Sequence, residues 1–168
     1  MRIKDYLIDK YSLAAAGAVK IAYDEAKKDI IVSIVKAACD KAGIEISDIL
    51  QDDIVRLARG EAISSKPCII KRREEPYVAV ALAHDDSTIL GLSINDTKDR
   101  DRIISAAQMH GIENFQSTNY WPVYFTFTEE IFDDFVLDDA EKRQAISDKL
   151  ADIIKRLMPI LQGNLSIS

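Results

Sequence analysis

The feature that most restricts this chain is a change of hydrophobic period. From Ser12 to Gly60 apolar residues recur every three or four positions, and from Cys68 to Ile94 they recur every two. A period near 3.6 makes one face of a helix and a period of 2 makes one face of a strand, so "EAISSKP" (61–67) marks the passage from helices to a sheet. The stretch from Ser12 to Gly43 reads as one long helix, with Ser12 as its N-cap and Gly43 as its C-cap. Its predicted buried stripe is Ala15, Val19, Ala22, Ala26, Ile30, Ile34 and Ala37. A short helix over "IKDYLIDKY" precedes it. A third helix is capped by Ser47, carries Ile49, Leu50, Ile54 and Leu57 on its apolar side, and stops at Gly60.

Beyond Pro67 the pattern predicts a three-stranded meander. Val78, Val80 and Leu82 share one face of its second strand and Ala79, Ala81 and Ala83 share the other, where small side chains would let a helix lie close to the sheet. The residues "HDDS" suit a hairpin connection. Asp96 or Thr97 then caps a helix that buries Ile103, Ile104 and Ala107. The segment "NYWPVYFTF" reads as a fourth strand with Trp121, Val123, Phe125 and Phe127 inward and Tyr120, Pro122 and Tyr124 outward or against a helix. Pro122 cannot donate to a ladder, which places this strand at an edge or makes it begin there. A final helix follows an Asp138/Glu141 capping box, buries Ile146, Leu150, Ile153, Leu157 and Ile160, and kinks or ends at Pro159. The sum is an α+β fold: N-terminal helices, a three-stranded antiparallel meander, a helix, a fourth aromatic strand and a long C-terminal helix. A single domain over 1–168 is expected, with 61–67 the one candidate sub-boundary.

Composition narrows the function. At 168 residues, 48% of them hydrophobic, the chain can bury a core without disulfides or metals. Twenty-two Lys and Arg against 28 Asp and Glu give a net charge of -6, which disfavours nucleic acid as a partner. No leader pattern and no apolar run of spanning length is present, so a cytoplasmic protein without membrane attachment is expected. Cys39 and Cys68 lack metal-site or redox-motif spacing and read as reduced core residues. No cofactor is implied.

Four short constellations were candidates for chemistry. His84, Asp85 and Asp86 place an imidazole beside two carboxylates, the best metal or acid-base set in the chain, but adjacent residues in a turn cannot all aim at one ion and a solvated turn is favoured. Ser93 in "GLSIN" lacks the second glycine of a nucleophile elbow. Lys71, Arg72 and Arg73, with Arg56 and Arg59, could meet an anion, yet Glu74 and Glu75 neutralise that field. "FDDF" sets Asp133 and Asp134 between Phe132 and Phe135, without the spacing of a calcium loop, as an acidic-aromatic contact patch.

From Tyr77 onward, the hairpin ending in "TILGLSI", a helix, the "YWPVYF" strand and a long amphipathic helix resemble the trailing part of some bacterial proteins of the PD-(D/E)XK nuclease superfamily. That resemblance implies a metal-dependent nuclease scaffold, in which two carboxylates hold Mg²⁺ and a lysine steadies the attacking water. This chain departs from the pattern: Leu92, Ser93, Ile94 and Asn95 stand where the acids belong, and Lys98 comes three residues after Asn95. The alternative reading is therefore a degenerate nuclease using Asp85, Asp86 and Glu74 or Glu75. The favoured reading is a non-enzymatic interaction module, of the kind a phage or other mobile element carries. It would bind a partner protein or self-associate through Tyr120, Tyr124, Phe132, Asp133, Asp134 and Phe135.

Overall fold

The computed structural model describes residues 10–45, 49–71, 76–83, 87–127 and 133–162. Helices α1 (Lys10–Ala42) and α2 (Ile49–Ala58) lead into strands β1 (Cys68–Lys71), β2 (Tyr77–Leu82) and β3 (Thr88–Ser93). A 3₁₀ turn at Thr97–Asp99 opens α3 (Arg100–Met109), and β4 (Val123–Phe127), the short α4 (Asp134–Leu137) and α5 (Ala140–Gln162) follow. This is the α+β architecture that the change of period predicts. Most of the short helix expected ahead of α1 lies outside the described residues.

The four strands run antiparallel in the order β1-β2-β3-β4, so each strand pairs with its neighbour in sequence and β4 lies at an edge. All six residues of β3 are buried. One face of the sheet, with Cys68, Val78, Val80, Leu90, Leu92 and Val123, joins the main core. Ile31 and Val35 of α1, Ile54 of α2, Ile103 of α3, and Leu150 and Ile154 of α5 pack into that same cluster. Helices α1 and α2 thus share a core with the sheet across 61–67. Phe125 and Phe127, at the margin of this face, receive cations from α5: Arg156 lies 4.7 Å and Lys149 5.0 Å from the respective ring centres.

The other face differs from expectation. Ala79, Ala81, Ile89 and Trp121 form a separate buried cluster, flanked by Ile69, Ala83 and Tyr124, and no helical residue among those described belongs to it. The alanines make room for an indole, not for a helix. Trp121 sits on this face with Tyr124, opposite Val123 and Phe127, because the strand begins only at Val123. Before it, Thr118 and Trp121 close a turn, with Thr118 N donating to Trp121 O (2.8 Å) and Trp121 N to the Thr118 hydroxyl (3.1 Å), and the strand alternation does not extend through Pro122. The Trp121 Nε1 donates to Ser64 O at 2.9 Å, which fastens the indole to the 61–67 segment.

Helix ends follow local chemistry closely. Gly43 has φ 72° and, with Ile44, returns hydrogen bonds to Asp40 O and Cys39 O, a Schellman closure that needs a left-handed residue; Gly60 repeats it at the end of α2. Asp96 caps the turn before α3 through Lys98 N. The cap of α5 lies one residue later than predicted: Asp139, not Asp138, accepts from Glu141 N and Lys142 N. Helix α5 runs through Pro159 to Gln162. Ser12 lies within α1, not at its cap. Of the stripe predicted for α1 only Ile34 is buried; Ile30 and Ala37 are half-buried, and Ala15, Val19, Ala22 and Ala26 are exposed. The buried residues are instead Ile31, Ile34, Val35, Ala38 and Cys39.

Gly91 pairs with Ala79 on one side and Tyr124 on the other. A Cβ there would lie 2.2 Å from Val123 O and 2.5 Å from Tyr124 Cα, both backbone atoms that cannot move aside cheaply. Gly91→Ala is expected to destabilise the fold by about 3 kcal/mol through overpacking, read as a lower urea midpoint. A midpoint unchanged from wild type would show that β3 and β4 are not this close.

Candidate functional site

Two surfaces emerge, on opposite sides of the sheet, and they divide the residues that the sequence singled out. The first is a cleft of about 730 Å³ on the face that no described helix packs against. Trp121 is buried within its wall (3% exposed), its ring meeting Tyr124 edge to face at 6.3 Å and 74°. Tyr77, Tyr120 and Tyr124 line the cleft, and Tyr120 is 56% exposed. The predicted pair Tyr120 and Tyr124 is therefore brought together, with Trp121 beside them rather than in the main core. The outer edge of β4 is not free at this point: Gln116 N donates to Tyr124 O (2.8 Å) and Tyr124 N to Gln116 O (3.0 Å).

The second surface lies where α4 meets α1. Asp133 caps α4 by accepting from Phe135 N at 2.8 Å, and Asp134 receives Lys27 Nζ at 2.8 Å. Phe135 is 84% exposed, while Phe132 lies outside the described residues. The Lys27 hydrogen bond, with a second from Tyr23, holds the Asp134 carboxyl below the usual carboxylate range. The same contact raises the Tyr23 phenol. Asp148 of α5 is lowered in the same way by Lys41 of α1 and then by Gln144.

What the sequence did not reveal is the state of α1 beside this surface. Every residue from Leu13 to Ala26 except Ala16 is exposed, including Val19 at 68% and Ile21 at 62%. At 3.6 residues per turn Ala15, Val19, Ala22 and Ala26 share one side of the helix, and Ile31, Val35 and Ala38 share the opposite side. Lys20, Asp24 and Lys27 occupy the core-facing side in this first half. The apolar face of α1 thus changes sides near Lys27: its second half turns inward and its first half turns outward.

The other candidates do not assemble. Residues 84–86, with His84, Asp85 and Asp86, and residues 72–75, with Glu74 and Glu75, lie outside the described residues. Arg56 bonds to Asp53 (3.1 Å) and to Pro67 O (2.8 Å), which commits it to joining α2 to the sheet. Ser93 lies within β3 and Asn95 just beyond it, on the rim of the cleft. Burial pushes the thiols of Cys39 and Cys68 up to about 12, so both remain protonated. Among the described residues no three His, Cys, Asp or Glu side chains converge as metal ligands, and no helix is long and apolar enough to cross a membrane. Compared with known proteins, the chain matches no family model, no curated protein and no solved structure.

Asp134 and Asp148 set an acid response. Their folded pKa values are lowered, so the stability they contribute is complete above the unfolded carboxylate value of about 3.9 and is lost as pH falls through the folded values. Both pairs are exposed, so the effect is modest. Thermal melts of Asp134→Asn with Asp148→Asn should lie below wild type at neutral pH, with the gap closing as pH falls below about 4. A gap that stays constant across this range would refute the two pairs as the source.

Proposed function

We propose that this chain is a non-enzymatic protein-interaction module that self-associates through the first half of α1. The observation that carries this reading is the outward-turned apolar face of Ala15, Val19, Ala22 and Ala26. Water in contact with such a face is unfavourable, and burial stabilises by roughly 25 cal/mol per Å² of apolar area removed. Alanines at this spacing leave a shallow surface against which a second helix axis can approach at the short end of the usual 8–10 Å. A second copy of the chain presents the same face, so a two-fold interface satisfies both at once.

The corner at α4 supports the same reading. Lys27 and Tyr23 fix Asp134 against α1, and the next residue, Phe135, stands out into solvent as an aromatic flank to the helix. The expected patch around Asp133, Asp134 and Phe135 then acts with α1, while Tyr120 and Tyr124 belong to a different surface.

Sedimentation velocity over a wide concentration range tests this reading. The wild-type chain is expected to associate, and Val19→Glu with Ala22→Glu to weaken association by about thirtyfold, or about 2 kcal/mol, without changing the melting temperature of the dilute monomer, because neither side chain is in the core. A wild type that sediments as a monomer throughout, or a double variant that associates as tightly as wild type, would refute it.

A further inference from the structure

We propose that the cleft on the helix-free face of the sheet binds a neutral nucleobase or nucleoside. Its volume of about 730 Å³ falls within the range of roughly 300–1,000 Å³ typical of small-molecule sites. The site is built rather than incidental, since Trp121 is locked in place by Ser64 O and by its edge-to-face contact with Tyr124. The locked indole backs Tyr124, and Tyr124 with the exposed Tyr120 offers aromatic faces on which a flat ring can stack.

The polar groups select the edge chemistry of that ring. Gln116 is held beside Tyr124 by two backbone hydrogen bonds, and its side-chain Oε1 accepts from the Thr126 hydroxyl at 2.8 Å. That contact holds the carboxamide beside Thr126 while the Gln116 side chain stays exposed toward the cleft. A carboxamide carries a donor and an acceptor on one plane, which suits the mixed donors and acceptors along a base edge. Ser64, Ser93 and Thr126 add hydroxyls that can serve as donor or acceptor.

Charge sets the boundary of the class. No described residue lining the cleft is charged, and the chain as a whole carries -6. Among the described residues no cation stands at the cleft to offset the desolvation of a phosphate, so nucleotides and nucleic-acid strands are disfavoured relative to the uncharged nucleoside. A saturated lipid would offer the hydroxyls and the Gln116 carboxamide no hydrogen bond.

Trp121 is the only tryptophan of the chain, so its emission reports on this cleft alone. The experiment titrates the full chain with adenosine, guanosine, cytidine and uridine, with their monophosphates, and with methyl glucoside. A saturable change with at least one nucleoside is expected, with its monophosphate at least about tenfold weaker. Gln116→Ala, at an exposed side chain, should weaken the nucleoside about tenfold with an unchanged thermal melt. No saturable response to any nucleoside, a monophosphate that binds as tightly, a response to methyl glucoside alone, or unaltered binding by Gln116→Ala would each overturn the proposal.

Discussion

Among the described residues the sheet is packed by helices on one face only, and an indole lies against the other. Trp121 lies against Ala79, Ala81 and Ile89, tied to Ser64 across the sheet, and the size of these neighbours follows from its presence. Gly91 is required for a related reason: β3 and Tyr124 of β4 approach too closely there for any Cβ. With the indole in place, the rest of the face remains a cleft rather than a layer. The helix side is by contrast a dense apolar core, in which α1 and α5 pack against each other and against the sheet. The asymmetry explains how one small chain can hold a stable core and still present aromatic and hydroxyl groups to solvent.

Helix α1 carries the second asymmetry. An apolar stripe on a helix is stable only when something covers it. Here the second half is surrounded by the chain itself, through Ile31, Ile34, Val35 and Ala38, and the first half is not. The reversal of its apolar side near Lys27 coincides with the ion pair to Asp134, which holds the middle of the helix to α4. From there the helix continues toward its N-terminus beyond the core, presenting alanine, valine and isoleucine outward.

Much of the architecture was legible because its causes are local. The change from a period near 3.6 to a period of 2 separated helices from strands, Gly43 and Gly60 announced helix ends, and Asp96 announced a start. The misreadings have physical reasons of their own. Alanine fits either side of a helix, so the spacing of Ala15, Ala22 and Ala26 could not say whether they face the core or solvent. Alternation placed Trp121 with Phe125, but the turn closed by Thr118 ahead of Pro122 breaks that alternation one step before the strand begins. Asp138 and Asp139 are equivalent in sequence, and only the backbone shows that Asp139 holds the cap. The cleft depends on Ser64, Gln116 and Tyr124 meeting across long stretches of chain, a nonlocal juxtaposition that periodicity cannot encode; the alanines read as room for a helix, and an indole occupies that room instead.

The central claim, that the first half of α1 is covered only by another molecule, is tested most directly by amide hydrogen exchange along α1 at several protein concentrations. Residues 31–39 should be protected throughout, because their side chains lie in the core of the same chain. Residues 13–26 should exchange rapidly when dilute and become protected as concentration rises. Protection of 13–26 that is equal to that of 31–39 at every concentration, or that never appears, would contradict the account.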